Sequence, residues 1–507
     1  MDSLSQRTFK NALWQVFNLG WVTLLNFFVT PLLLKQIGIE NYGVYILILT
    51  IVSFLSLLDL NMGSGFASSF IEYTVNQEKE KKVKLVNSFF SFWLAIGLIG
   101  FLVLIGLSFL ADFVFSIRTE FIRQTQFGFW FAGIYFVFAT INSLFFVISI
   151  SIQRFDILGK ITFIQNTVLN AFLIGFAFFR PSLTWLLASH FFSAVISLFG
   201  YFVLIKKVLP ELKLKLEFYR TEFFRKLKFS LYNFINGFAG NSLLQIDRFF
   251  ISRILGNAAV GFYAVPNNLA QKIHAVSSSG AMTLFPVASD LFYQGDKQKF
   301  NQSFRRAMRI GIIFSVLSGV VLLVFGYQLL YFWVGKEIAD KSAALLYYFV
   351  PTYILMSIYT ILNNFYLGTG KSKLLAVFSG SMALVNIVLL AFLVPNFGLT
   401  GAALAYLLAL MPVILFVFLF ERKELNLSGS FRFYFGLILK LLFVSAILVL
   451  LARFYLLSWA NNLWQTLLLM IVSFAGIIGL YFVFGFFEPE DRELIRNYLK
   501  LWREKNS

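Results

Sequence analysis

Apolar residues fill the chain in long stretches that short polar segments separate. Each stretch has about 20 residues or more, the length that an α-helix needs to cross a hydrocarbon layer of roughly 30 Å. The pattern predicts about 14 transmembrane helices, with ends placed to within a few residues. They cover residues 11–34, 44–66, 88–115, 127–150, 157–179, 183–205, 229–255, 258–288, 309–334, 343–366, 374–394, 398–420, 437–457 and 463–487.

The composition agrees with a membrane protein. Hydrophobic residues make up 59% of the 507 positions and charged residues 13%, with a mean hydropathy of +0.80, whereas a soluble domain carries about 25% charged residues. Helices are expected because a helix satisfies its own backbone polar groups in lipid. The longest polar gap, about 206–228, is too short to fold alone. The predicted fold class is therefore all-α and integral to the membrane.

The basic residues predict how the chain is oriented. The segments on the N-terminal side of the predicted spans hold 32 of the 42 lysines and arginines, and the opposite side holds 8. Because Lys and Arg are retained on the cytoplasmic side, both termini are expected in the cytoplasm. The net charge of +18 follows from this bias, so the basic loop 206–228 is interpreted as a loop at the membrane surface, not as a nucleic-acid site.

Two segments far apart in the chain share one pattern. "IGIENYGVYI" at 37–46 and "LGNAAVGFYA" at 255–264 each hold two glycines and a tyrosine at the same spacing, offset by 218 residues. Each is interpreted as a tight outer turn whose glycines permit the turn and close helix contact. The matching residues are Gly38, Gly43 and Tyr45, and Gly256, Gly261 and Tyr263.

The same offset carries the first six predicted spans onto the next six, which predicts a parallel repeat of two six-helix lobes. Polar positions also correspond, since Gln15, Asn18 and Thr23 fall on Asn233, Asn236 and Asn241. The predicted organisation is an N-lobe at 1–205, a basic cytoplasmic linker at 206–228, a C-lobe at 229–420, two further helices at 421–487 and a cytoplasmic tail at 488–507.

The seventh span carries a polar stripe that must face protein or water. At about 100° per residue, five polar side chains fall within about 140° of the helix wheel. The three asparagines of the seventh span, together with Gln15 and Asn18 of the first span, are candidates to line a central cavity. The stripe comprises Asn233, Asn236, Asn241, Asp247 and Arg248.

Two cations lie inside predicted spans, Arg248 in the seventh and Lys272 in the eighth. Such charges usually face a bundle interior or a water-filled cavity. Together they would suit an anionic headgroup such as a pyrophosphate, because Arg offers a planar fork and Lys a compact charge. The alternative is structural, with Asp247 neutralising one of the two cations.

Other titratable residues are open to two interpretations. His274 could couple transport to protons, because histidine titrates near neutral pH, or hydrogen-bond within the packing. Asp59, close to the small polar run "NMGSG", could bind a coupling cation or be solvated at the interface. Arg154, in the turn between the fourth and fifth spans, could contact a headgroup entering from the cytoplasm or be interfacial.

Several classes of chemistry find no support in the sequence. There is no cysteine, which excludes disulfides and thiolate metal sites. No Walker loop, HExxH or nucleophile elbow is found, and no predicted outer loop exceeds about a dozen residues. No cofactor, metal site or catalytic residue is expected, and the protein is interpreted as a transporter and not an enzyme.

These motifs resemble those of oligosaccharide and polysaccharide flippases of the Wzx type, in the multidrug/oligosaccharidyl-lipid/polysaccharide exporter superfamily. The resembling segments are "PLLLKQIGIENYGVYILI", "LLDLNMGSGFASSFIEY", "QIDRFFISRILGNAAVGFYAVPNNLAQKI", "YLGTGKSK" and "FGLTGAALAY", and the likeness covers about residues 8–490. Their order along the chain makes the set fairly specific.

The resemblance implies two six-helix lobes around a central cavity in a bacterial cytoplasmic membrane. It implies transfer of a polyprenyl-pyrophosphate-linked oligosaccharide, a surface polysaccharide repeat unit as in lipopolysaccharide or capsule, from the cytoplasmic to the outer leaflet. Membrane lipid, the lipid-linked glycan and a polymerase or other assembly protein are the implied partners, and nucleic acid is not. The headgroup would contact the positions matching the family, Arg248 with Asp247, and by inference Lys272.

Two alternatives to this function remain open. The first is a multidrug or small-cation antiporter of the same superfamily, which would need an acidic cavity. The second is a membrane glycan polymerase or transferase, which the short outer loops disfavour. Within flippases, a lipid II substrate is disfavoured because the first two predicted spans contain no arginine.

Overall fold

The fold is described by a computed structural model covering residues 4–60, 62–115, 121–152, 154–210, 214–224, 227–281, 284–423 and 430–486. Nearly all of these residues are helical and none lies in a strand. The helices are α1 Leu4–Leu55, α2 Met62–Val75, α3 Lys79–Phe115, α4 Ile122–Ser151, α5 Phe155–Phe179, α6 Leu183–Val208, α7 Arg220–Phe224, α8 Leu227–Gln245, α9 Asp247–Leu255, α10 Asn257–Ala281, α11 Leu284–Tyr293, α12 Lys297–Val334, α13 Lys336–Ser342, α14 Leu346–Gly368, α15 Ser372–Leu410, α16 Pro412–Lys423, α17 Ser430–Phe454 and α18 Leu463–Val483.

The predicted all-helical membrane fold is confirmed. Ten helical segments of the described chain are long and apolar enough to cross a bilayer. Two of them, Gly20–Asp59 and Lys373–Lys423, each cover two predicted spans. The seventh and eighth predicted spans are built from the shorter helices α8 to α11. The count of fourteen and the six-helix repeat stay predictions.

The described residues divide into two compact units. Unit 1 consists of Met1–Val265 and Lys371–Ala409, and unit 2 of Pro266–Gly370 and Leu410–Ser507. In unit 1, α4 packs along α3 and α6, and α5 packs along α1 and α6. In unit 2, α14 packs along α11 and α12, and α12 also contacts α17 and α18.

The second predicted span is interrupted before its expected end. Helix α1 stops at Leu55, a 3₁₀ turn covers Ser56–Asp59, and Leu60 takes a left-handed conformation with φ 53°. Helix α2 then starts within the small polar run. The interruption leaves Asp59 at the end of a helix, beside a change of chain direction, and not inside a continuous span.

The two glycine motifs adopt the same backbone conformation at their first glycine. Gly38 has φ 77° and ψ 164° and joins two helices within α1, and Gly256 has φ 87° and ψ 170° between α9 and α10. A side chain is strained at such positive φ values. The predicted turn is therefore observed in both motifs as a single non-helical glycine.

The second glycines bring the two motifs into direct contact within unit 1. A Cβ on Gly43 would lie 1.9 Å from the backbone oxygen of Asn257, and a Cβ on Gly261 would lie 2.7 Å from the backbone oxygen of Ile39. Ile39 and Asn257 are themselves 218 residues apart. The contact is thus reciprocal, as in a two-fold interface, and it accounts for the predicted need for small residues.

The basic linker is partly folded onto unit 1. Lys206 and Lys207 belong to the end of α6, and the described residues from Leu214 run along α3 to α7. The Asn87 carboxamide oxygen accepts the Lys215 backbone N–H at 3.1 Å, and Ser88 Oγ accepts the Tyr219 backbone N–H at 2.9 Å. These bonds fix the path of the linker across the end of α3.

Candidate functional site

A polar network joins α1 to α8 in unit 1. Asn241 donates from Nδ2 to the Ser53 backbone oxygen at 3.1 Å, and Gln245 donates from Nε2 to Ser53 Oγ at 2.9 Å and to Asn241 Oδ1 at 2.5 Å. Asn241 and Gln245 lie four residues apart on one face of α8. Arg248 follows in α9 after Ile246, which keeps helical backbone angles, and so stays close to that face. The network therefore presents a continuous polar edge inside a mainly apolar bundle.

Arg248 is attached to this network by neutral groups. Its Nη1 donates to Thr50 Oγ1 at 2.9 Å and to Gln245 Oε1 at 3.4 Å, and its Nε is buried without a hydrogen-bond partner among the described residues. Its side-chain hydrogen bonds are to neutral groups, while the adjacent buried carboxylate of Asp247 interacts with it electrostatically. A guanidinium inside a bundle that keeps N–H donors beyond these bonds can bind an anion.

Asp247, although adjacent in sequence, points to another partner. Its side chain is 1% exposed, and it accepts from the Tyr263 hydroxyl at 2.5 Å and from the Arg248 backbone N–H at 2.8 Å. Successive residues of a helix point about 100° apart. The carboxylate is thus held by α10 and by its own helix, and it forms no side-chain bridge to Arg248.

Substituting Tyr263 by phenylalanine is expected to lower the free energy of unfolding by about 2 kcal/mol, because a buried carboxylate loses a hydroxyl donor. Tyr45→Phe is the matched comparison, since its hydroxyl lies 2.7 Å from His190 Nε2, a neutral pair worth about 1 kcal/mol. Thermal unfolding of the purified proteins in detergent would measure both. Equal losses would contradict Tyr263 as the main hydrogen-bond donor to Asp247.

Two adjoining cavities lie beside the network in unit 1. Their volumes are about 400 Å³ and about 610 Å³, and Asp59, Trp93 and Ser143 line both. The first also contains Ser53, which connects it to the Asn241–Gln245 edge. The second extends to α2 and the end of α4 at Ile150. Together they extend along unit 1 from the end of α4 to Ser53, and their lining mixes apolar residues with a few polar ones.

The cavity wall carries aromatic and hydrogen-bonding groups. His190 is bonded to Tyr45 and its ring centroid lies 5.3 Å from that of Tyr135, and both His190 and Tyr135 line the first cavity. Trp93 is fully buried, and its indole N–H has no hydrogen-bond partner among the described residues. Aromatic faces with hydroxyl and carboxylate groups suit a hydroxyl-rich ligand such as a glycan.

The remaining predicted site residues lie elsewhere. In unit 2, Lys272 is exposed. His274 Nε2 lies 2.8 Å from Thr360 Oγ1, a hydrogen bond of the packing kind considered above. In unit 1, Asn18 donates to the Gly159 backbone oxygen at 3.2 Å and so joins α1 to α5. The side chains of Gln15, Asn233 and Asn236 lie outside the described residues.

Arg154 is already paired where it lies. Its Nε and Nη2 donate to the two carboxylate oxygens of Asp156 at 2.8 and 2.9 Å, and about 44% of each side chain is exposed. The bidentate bond to Asp156 raises the pKa of Arg154, so its charge persists but is largely satisfied locally. Unlike the Arg248 side chain, it forms a bidentate hydrogen bond with a carboxylate.

Three residues of this site, Gln245, Thr50 and Ser53, were not predicted from the sequence. For Gln245 a signal existed, because it lies four residues after Asn241 and three before Arg248 and so extends the polar stripe. Thr50 and Ser53 lie in the apolar segment "YILILTIVSFL", where single hydroxyls give no signal. In the part of the chain that the structure describes, no group of three or more His, Cys, Asp or Glu side chains could hold a metal ion.

Known sequences and structures resemble this chain over most of its length. Residues 8–292 match the family described as "Polysaccharide biosynthesis protein", and residues 234–392 match MatE. The "Putative O-antigen transporter" of Shigella flexneri is 22% identical over 422 residues, 82% of this chain and 97% of the relative. The "Uncharacterized membrane protein EpsK" of Bacillus subtilis (strain 168) is 22% identical over 396 residues, 76% and 77% of the two chains.

Two solved structures share the fold. "Lipid II flippase MurJ, inward closed conformation" superposes with a TM-score of 0.68 at 16% identity, covering 95% of this chain and 99% of that one. An inward-facing multidrug resistance MATE family transporter of the MOP superfamily gives 0.66 at 12% identity, covering 80% and 94%. The chain belongs to the polysaccharide biosynthesis protein family, and its fold is that of the MOP superfamily of membrane transporters.

Proposed function

We propose that this protein transfers a polyprenyl-pyrophosphate-linked oligosaccharide, the repeat unit of a surface polysaccharide, from the cytoplasmic to the outer leaflet. The observation that carries the proposal is Arg248, a guanidinium whose Nε has no hydrogen-bond partner among the described residues and which reaches a cavity through Gln245 and Ser53. The family match and the Shigella relative support a glycan linked to lipid as the cargo.

In the proposed cycle, the pyrophosphate approaches Arg248 while the sugars occupy the cavity of unit 1. A guanidinium binds phosphate oxygens through two parallel N–H bonds, and Arg248 has donors beyond the Nη1 bonds to Thr50 and Gln245. The lipid tail stays in the bilayer. Lys272 in unit 2 is a second candidate for the headgroup, and alternating access of two lobes would expose the site to each leaflet in turn.

The proposal includes a cytoplasmic membrane location with both termini inside, and an assembly protein that receives the glycan. A second candidate function is a multidrug or small-cation antiporter. The MatE match and the position of Asp59 on both cavities favour it, because a carboxylate in a cavity attracts cations. The cationic Arg248, bonded to the same network through Gln245, opposes it.

A leaflet assay in proteoliposomes tests the function. Vesicles containing the source organism's polyprenyl-pyrophosphate oligosaccharide are made with and without the protein, and access of the glycan to an external glycan-modifying enzyme is followed. Protein-dependent access is expected, and H⁺ or Na⁺ gradients can then be imposed. Folded protein with native lipid and no exchange would reject the flippase, and protein-dependent cation flux would favour the antiporter.

A further inference from the structure

A separate pocket lies in unit 2 where α12 ends. Gly335, with φ 101°, turns the chain from α12 into α13, and the pocket forms between these helices and the start of α14. Its volume is about 300 Å³, at the small end of the range for ligand pockets. In the orientation predicted from the basic residues, this end of α12 faces the outer side of the membrane.

The pocket is lined by apolar residues on one hand and by polar and aromatic residues on the other. Tyr327, Asp340 and Tyr347 are the polar and aromatic ones. The Tyr327 hydroxyl donates to Asp340 Oδ1 at 2.8 Å, which fixes the tyrosine ring and leaves Asp340 Oδ2 able to accept. Tyr347 is 68% exposed. The apolar lining residues are Leu323, Ala339, Ala343, Ala344 and Leu346.

The charges of helix α13, beside the pocket, cancel. Helix α13 carries Lys336 and Lys341 against Glu337 and Asp340, and Lys341 is paired with Glu337 at 2.8 Å. A carboxylate beside tyrosine faces would otherwise suit a cation. Helix α13 carries no net formal charge, and Asp340, the charged residue that lines the pocket, already accepts a hydrogen bond from Tyr327. A neutral ligand with both an apolar face and hydroxyl groups therefore fits better.

We propose that this pocket binds a single neutral pyranose ring. The apolar face of the ring would lie against Tyr347 and the alanine side chains, while Asp340 and Tyr327 would hydrogen-bond its hydroxyls. Binding of the sugar does not depend on the proposed transport. The origin of the bound sugar does rest on the proposed function, because it would be the glycan of a transferred lipid, held there before the enzyme that consumes it.

Exposed tyrosines also occur simply as anchors at membrane interfaces. Tyr455, in unit 2 after α17, provides a matched comparison, because it is 67% exposed and lines no part of this pocket. If the tyrosines only anchor the protein, Tyr347→Ala and Tyr455→Ala will behave alike. If the pocket binds sugar, only Tyr347→Ala will weaken binding.

Saturation-transfer NMR on the full-length protein in nanodiscs of uncharged lipid tests the proposal. The probes are methyl glycosides of glucose, galactose, rhamnose and N-acetylglucosamine at millimolar concentration. Saturation transfer from the protein to at least one glycoside is expected. The signal should be roughly fivefold weaker in Tyr347→Ala, as for loss of one aromatic contact, and unchanged in Tyr455→Ala. Tyr347→Phe keeps the ring and should keep most of the signal, whereas Asp340→Asn should reduce it.

No transfer to any of the four glycosides would overturn the proposal. So would a signal that is equal in wild type and Tyr347→Ala, because the sugar would then bind elsewhere, for example in the cavity of unit 1. The leaflet assay separates this failure from that of the proposed function. Tyr347→Ala should still expose lipid-linked glycan on the outer side at the wild-type initial rate.

Discussion

Replacing Gly43 by alanine is expected to destabilise the protein by at least about 3 kcal/mol. The new methyl group would lie 1.9 Å from the backbone oxygen of Asn257 and 3.2 Å from the backbone nitrogen of Gly261. Backbone atoms cannot rotate away as a side chain can, so α1 and the start of α10 would have to separate. Thermal unfolding in detergent and the amount of protein in the membrane would both report the loss.

Gly20 provides the matched control for Gly43. It lies in the part of α1 before the Gly38 turn, with nothing within 4 Å of an added Cβ, so alanine there should be neutral or stabilising by up to about 1 kcal/mol. Gly261→Ala should destabilise in the same direction as Gly43→Ala, since its Cβ would meet the Ile39 backbone oxygen at 2.7 Å. Wild-type stability of Gly43→Ala would disprove the reciprocal contact.

Substituting Arg248 by alanine is expected to reduce the rate of glycan transfer by about 10- to 100-fold while leaving the amount of membrane protein unchanged. A charge-assisted hydrogen bond to the substrate is worth about 1.5–3 kcal/mol, and each 1.4 kcal/mol corresponds to about tenfold. Folding should survive because the lost partners, Thr50 and Gln245, are neutral. The leaflet assay at matched protein density measures the rate.

Arg253→Ala is the control for charge alone, because Arg253 is an exposed arginine of the same helix α9. It should transfer glycan at the wild-type rate. Arg248→Lys should recover part of the rate, since an ammonium keeps the charge but not the planar fork. If Arg248→Ala lowers abundance as much as transfer, its role is structural and the headgroup binds elsewhere.

The two expected effects test different kinds of residue. The role of Gly43 was predictable from the repeated motif, because a glycine at the same place in two similar turns indicates a turn or a close approach. That Gly43 meets Asn257, and Gly261 meets Ile39, was not predictable. The offset relates the two motifs in sequence but contains no information on whether they touch.

The polar stripe illustrates a similar limit. The helix wheel placed Asp247 and Arg248 on one side of the seventh span and allowed the carboxylate to neutralise the arginine. In the fold, Asp247 bonds to Tyr263 and Arg248 to Thr50. A helical wheel gives side-chain directions less precisely than a hydrogen bond requires. It can therefore show that both residues avoid lipid, but not which partner each one has.

By itself, the sequence determined that this is an all-helical membrane protein of the polysaccharide exporter kind, with glycine turns at Gly38 and Gly256. These features follow from lipid, which demands long apolar helices whatever their neighbours, and from local backbone geometry. Only the tertiary structure decided that Ser53, Asn241, Gln245 and Arg248 form one network beside a cavity. Helix rotation and tilt are set by packing against other helices, and that packing brings together polar side chains about 190 residues apart.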